Sequence, residues 1–133
     1  MVLVDTCGWI EWLTDGVLSD SYLPYFESVE SLLVPTSVQF ELYKWVKREK
    51  GVQLALESIA LTEQANVSPL TTSICLFAAD LSIENKLSFA DSIIYATAQF
   101  KKCELVTSDS HFKELPGVIY LTPKRVAQKF IPS

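Results

Sequence analysis

The chain is short of several residue types, and each shortage removes a class of function. It contains 1 histidine in 133 residues, His111. A multi-histidine zinc centre is thereby excluded, and a Ser-His-Asp triad has little to rest on. The 3 cysteines, Cys7, Cys75 and Cys103, are odd in number, far apart and without paired metal spacing. They read as reduced, mostly buried thiols, as expected of a cytoplasmic protein. Only 4 glycines occur, and no GxGxxG or GxxxxGK[ST] loop is present to cradle a nucleotide phosphate. No apolar run approaches the roughly 20 residues that span a bilayer, so no membrane association is expected. Nor does a basic segment followed by an apolar block mark a signal peptide.

Positive charge is missing from the first third. Asp5, Glu11, Asp15, Asp20, Glu27, Glu30 and Glu41 all precede the first basic residue, Lys44. Lys44, Lys47, Arg48 and Lys50 then crowd one short stretch, and Lys124, Arg125 and Lys129 form a smaller group near the C-terminus. Such groups are either solvated helix faces or contacts to substrate phosphates. The net charge of -5 argues against nucleic acid as a partner. That argument weakens if several of the acids bind metal.

What the chain has in plenty is apolar residues, at 49%. Its length suits a single domain, 1–133, that buries about two-thirds of its surface on folding. Short apolar runs alternate with amphipathic segments, the pattern of an α/β fold layered on a parallel sheet. The expected strands are 2–5, 32–35, 66–68, 104–107 and 118–121. The expected helices are 8–14, 21–30, 37–49, 52–64, 71–86, 90–101 and 123–130. Ser88 is placed to cap the helix that contains Asp91, and Thr122-Pro123 to open the last one.

Four carboxylates stand where a carboxylate is costly. Asp5 ends the apolar run Met1-Val2-Leu3-Val4, and Asp109 closes Leu105-Val106-Thr107-Ser108. Glu41 borders the apolar stripe Val38, Leu42 and Trp45, and Asp91 opens a helix that is apolar nearly all round. Each has a plain structural alternative. Asp5 could cap the next helix, although Thr6 could do so equally well. Asp91 could simply favour a helix dipole, Glu41 could pair with Lys44, and Asp109 could cap a short helix with Lys113 nearby. Taken together, four such coincidences are less economical than one site for a hard divalent cation. Asp80 and Glu84 lack any strand context and read as surface. Asp5-Thr6-Cys7 lacks the second Asp of a phospho-aspartate hydrolase, and no strand-end Lys supports a receiver domain.

The segments Val2–Thr6, Pro35–Leu42, Leu87–Ala98 and Leu105–Phe112 together resemble the four signature segments of PIN-domain ribonucleases, most nearly the VapC toxins of prokaryotic toxin–antitoxin pairs. The resemblance implies an α/β/α sandwich around a parallel five-stranded sheet. It also implies an acidic quartet of Asp5, Glu41, Asp91 and Asp109, supported by Thr6 and by a hydroxyl from Thr107 or Ser108. Cys7 departs from the small polar residue frequent there. The implied cofactor is Mg²⁺ or Mn²⁺, and the implied reaction is hydrolysis of RNA by metal-activated water, leaving 5′-phosphate and 3′-hydroxyl ends. Lys44, Lys47 and Arg48 become candidate RNA contacts. A small antitoxin carrying an Arg to the acids, and a homodimer, are the implied protein partners. Trp9, Trp12, Tyr22 and Phe26 could offer that antitoxin apolar contact or could be core. The alternative is a catalytically idle PIN-like module that binds RNA or protein.

Overall fold

The computed structural model describes residues 1–123. The expected helix 123–130 and the basic residues Lys124, Arg125 and Lys129 fall outside, or all but outside, that range. Five strands form one sheet: β1 (Val2–Val4), β2 (Leu32–Pro35), β3 (Asn66–Ser68), β4 (Glu104–Thr107) and β5 (Val118–Tyr120). Every neighbouring pair is parallel, in the order β3-β2-β1-β4-β5. Among the described residues six α-helices complete the layers: α1 (Thr6–Leu13), α2 (Ser19–Phe26), α3 (Thr36–Lys50), α4 (Val52–Thr62), α5 (Thr72–Asn85) and α6 (Phe89–Phe100). This is the α/β/α sandwich expected, with each strand within a residue of its expected bounds.

The central strands are buried on both sides, as their unbroken apolar runs require. Leu3, Val4, Val34, Leu105 and Val106 have no exposed surface at all. A second, smaller core of Ile74, Ala78, Ile93 and Ala96 joins α5 to α6. Strand order reverses between β1 and β4, where Val4 is level with Val106. The crevice beyond the carboxyl ends of two such strands is where open α/β sheets bind ligands.

One expected helix is divided. The sequence predicts one continuous helix over 21–30, but α2 ends at Phe26 and a single 3-10 turn, Val29–Ser31, follows. Ser28 between them is extended (φ -134°, ψ 91°), and its hydroxyl meets that of Ser31 at 3.2 Å. The chain must turn here to enter β2 at Leu32, and a continuous helix would carry it past the sheet. The aromatic residues upstream are mainly core. Trp9, Tyr22 and Phe26 are buried, with Trp9 edge-on to Phe26 at 4.9 Å. They are therefore not surface contacts for a partner. Trp12, half-buried and stacked on Phe26 at 4.2 Å, is the one of the four that reaches solvent.

Gly8 shows how closely α1 lies on this core. A Cβ there would sit 2.5 Å from both the Tyr22 ring and a Val4 methyl. Gly8→Ala should therefore destabilise the protein by about 1–3 kcal/mol through overpacking, despite alanine's better helix propensity. Urea unfolding of the variant would measure this, and an unchanged midpoint would contradict so tight a contact.

Candidate active site

The four acids converge at the reversal of strand order. The Asp5 N–H extends the ladder beyond β1 by donating to the Val106 carbonyl at 3.0 Å, so its carboxylate emerges between β1 and β4. Asp5 also caps α1, its Oδ1 accepting from the Thr6 N–H at 2.7 Å. The strand thus passes into the helix with no loop, and α1 begins two residues before the expected position. Only 5% of Asp5 is exposed.

Thr107 joins Asp5 to Asp109. Its hydroxyl donates to Asp5 Oδ2 at 2.8 Å and accepts the Asp109 N–H at 2.9 Å. Of the two hydroxyls expected near the last acid, Thr107 is the one that touches the acids. Thr6 performs a similar task on the other side, donating to Glu41 Oε1 at 2.7 Å and so tying α3 to α1. Glu41 uses this bond in place of the pairing with Lys44 considered from sequence. Asp91 stands in the first turn of α6, where Ser88 caps the helix by accepting the Asp91 N–H at 3.2 Å. Asp109 caps the 3-10 turn Ser110–Phe112 through the His111 N–H at 2.9 Å. For Asp5, Asp91 and Asp109, the plain structural roles and membership of one cluster hold together.

Two features escaped sequence reasoning. His111 was set aside as a lone histidine, yet its Nδ1 lies 3.1 Å from Asp91 Oδ2 and 3.1 Å from Asp109 Oδ1. Its position two residues after Asp109 was the available signal. Behind Asp5 lies a polar network, in which Tyr22 donates to Ser108 Oγ at 2.8 Å. The Cys7 thiol donates to Asp5 Oδ2 at 3.5 Å within that network. Nothing in the spacing of Cys7, Tyr22 and Ser108 announces it. The basic residues separate: Lys44 and Arg48 line a cleft of about 290 Å³ beside Thr6, Phe40 and Glu41, whereas Lys47 lies over the Tyr43 ring at 5.5 Å.

Electrostatics link the acids in a chain. Burial raises the Asp5 carboxyl from 3.8 to about 6 against the pull of Thr107, Thr6 and Cys7, and Glu41 adds repulsion. Burial likewise raises Glu41, with further repulsion from Asp91 and against the pull of Thr6 and Lys44, and raises Asp91, with repulsion from Asp109 and against the pull of His111 and Ser88. Burial and the neighbouring Asp5 push the Cys7 thiol up as well, which keeps it protonated. Among the described residues no Lys or Arg forms an ion pair with any of the four acids. Close carboxylates with no ion-paired Lys or Arg among the described residues, supplemented by one imidazole, are a donor set that fits a divalent cation. Asp91, Asp109 and His111 offer three ligand atoms within 4.8 Å of one another.

The raised Asp5 value has a consequence for stability without metal. The folded protein holds the Asp5 proton more tightly than the unfolded chain, so stability falls as pH rises from about 4 to about 6. A displacement from 3.8 to about 6 corresponds to about 3 kcal/mol. In chelator, Asp5→Asn should gain stability relative to wild type by up to that amount between pH 4 and pH 7.5. Denaturant titrations at the two pH values read this difference, and a pH-independent difference would contradict the burial of a charged Asp5.

Comparison with known proteins agrees with this geometry. The PIN domain family model matches residues 2–118. Comparison with curated protein sequences gives no match. Among solved structures, a toxin–antitoxin complex from Klebsiella pneumoniae is similar at 24% identity and a TM-score of 0.75, over 92% of this chain and 98% of that one. VapBC2 from Rickettsia felis, bound to a DNA fragment from its promoter, gives 18% and 0.73 over 91% and 98%. The sarcin-ricin loop cleaving toxin VapC20 of Mycobacterium tuberculosis gives 17% and 0.72 over 92% and 100%. At these identities the structures speak to the fold, while the family model spans nearly all of the described chain. With its parallel sheet of order β3-β2-β1-β4-β5 and its acids gathered at the strand reversal, the chain belongs to the PIN-domain family.

Proposed function

We propose that the protein is a metal-dependent endoribonuclease, the toxin of a VapBC-type toxin–antitoxin pair. The observation that carries this reading is the electrostatic chain Asp5–Glu41–Asp91–Asp109, in which, among the described residues, no acid forms an ion pair with Lys or Arg. Asp5, Glu41, Asp91 and Asp109 are the proposed catalytic and metal-holding residues. These four acids would hold Mg²⁺ or Mn²⁺, which when bound would supply a water of lowered pKa and offset negative charge on a phosphate. Asp5, fixed by Thr6 and Thr107, is the rigid member of the set. Asp91 and Asp109, less buried, border the opening to solvent, and Lys44 and Arg48 beside Glu41 receive the backbone phosphates of single-stranded RNA. Lys47, set over Tyr43 and outside that cleft, is proposed as the outer contact of the three.

The partners follow from the same surface. A small antitoxin is proposed, in keeping with the toxin–antitoxin complexes that this fold resembles. Its Arg would compete with metal by pairing bidentately with the acids. A homodimer is also proposed, for which the exposed Ile83 and Phe89 beside the groove between α5 and α6 supply apolar surface. Among the described residues no helix is long and apolar enough to cross a membrane, and we place the protein in the cytoplasm.

Asp91→Asn is the direct test. Cleavage of RNA in Mg²⁺ or Mn²⁺ should fall by more than about a hundredfold, since losing even an outer partner costs a metal site up to that much. The fold, followed by circular dichroism, should persist. Wild-type cleavage by the variant would remove the basis of the assignment.

A second measurement addresses substrate binding by the catalytically inactive protein. Adding Lys44→Ala and Arg48→Ala should flatten the dependence of log affinity on log salt by about 1.4 for single-stranded RNA. Adding Lys47→Ala instead should change it little. Equal effects from all three positions would return them to the status of an undifferentiated basic face.

A further inference from the structure

His111 holds an unusual position for the chain's single histidine. Its side chain is 70% exposed, so burial does not dictate where the ring lies. Local backbone does: the His111 N–H donates to Asp109 Oδ1 at 2.9 Å, and the next residue, Phe112, is fully buried and anchors the turn. The ring nitrogen Nδ1 then stands 3.1 Å from an oxygen of Asp91 and 3.1 Å from an oxygen of Asp109. Those two acids come from different elements, the first turn of α6 and the cap of the 3-10 turn that follows β4.

The two nitrogen–oxygen separations suit adjacent positions of a coordination shell. Around an octahedral ion with bonds of about 2.1 Å, adjacent ligand atoms lie about 3.0 Å apart and opposite ones about 4.2 Å apart. Nδ1 is at about the adjacent distance from one oxygen of each carboxylate; without an ion its contact with Asp91 Oδ2 is a hydrogen bond, which coordination would replace. Resting on the metal-dependent reading above, we propose that His111 Nδ1 is a ligand to the ion shared by Asp91 and Asp109. The centre is then a mixed oxygen–nitrogen site that favours first-row transition ions over Mg²⁺. Mg²⁺ keeps to oxygen donors and its own waters, whereas imidazole adds affinity for ions of the Mn²⁺-to-Zn²⁺ series.

Because His111 is the only imidazole in the chain, Mn²⁺ reports on it without ambiguity. The full chain is loaded with Mn²⁺ alone and its electron spin echo is examined for imidazole ¹⁴N modulation. Wild type should show that modulation, and His111→Asn should lack it. The exposure of the side chain leaves the fold of this variant intact. Its Mn²⁺ affinity should drop about tenfold or more, while its Mg²⁺ affinity should change by less than about twofold. A wild-type echo without imidazole nitrogen, or equal losses for both ions, overturns the inference. Asp91→Asn separates the two levels of the argument. If that variant loses Mn²⁺ while wild type shows no imidazole nitrogen, the acids stand as ligands and only the role of His111 falls. If Mn²⁺ binding survives Asp91→Asn, the carboxylate site itself is misassigned and this inference goes with it.

Discussion

Repulsion among four carboxylates at one edge of a parallel sheet sets the terms for the rest of the molecule, and the Thr107 hydroxyl is where that repulsion is contained. It donates to Asp5 and accepts from the backbone of Asp109, so one side chain fixes two acids on either side of the strand reversal. Thr6 does the same for Glu41. Neither bond neutralises charge. They hold the acids in place, while burial and proximity raise the proton affinities of Asp5, Glu41 and Asp91, so the site is rigid before any ligand arrives. The surrounding core, with Leu3, Val4, Leu105 and Val106 wholly enclosed, supplies the rigidity that such a cluster requires.

Much of this was legible in the sequence because the signals were periodic or punctuated. Continuous apolar runs announced the strands, and the Ser88 cap announced α6 together with the place of Asp91 in its first turn. The acids stood out because each followed or interrupted an apolar segment. What was not legible depends on contacts across the fold. The break after Phe26 answers to the path into β2, not to helix propensity. The Cys7–Tyr22–Ser108 network joins positions up to 101 residues apart. Trp9, Tyr22 and Phe26 could have been core or interface by composition, and only packing decided between them. The basic stretch read as one unit, yet helical rotation sends Lys44 and Arg48 to the cleft and Lys47 onto Tyr43.

The placement of a histidine against two aspartates shows how a single side chain can adjust a site whose other donors are all oxygen. Carboxylates alone select for hardness and charge. A neighbouring imidazole would alter which ions compete without altering the frame that holds the acids, since His111 hangs from a short exposed turn. The polar network behind Asp5 lies on the opposite, buried side, where the protonated Cys7 thiol contributes a weak hydrogen bond in place of a charge.

The capping duties of the acids bear on how such a protein would drift if selection for its chemistry ceased. Asp5 is buried at the expense of its ionised form, so a neutral replacement there relieves the fold at neutral pH. Asp109 is half-exposed and caps an exposed backbone N–H at the start of a turn, so its loss would cost about 1 kcal/mol of capping. A lineage released from catalysis would therefore tend to shed Asp5 early and keep Asp109 long afterwards. Surviving aspartate at the end of β4 would then mark ancestry, and aspartate at the end of β1 would mark an enzyme still under selection.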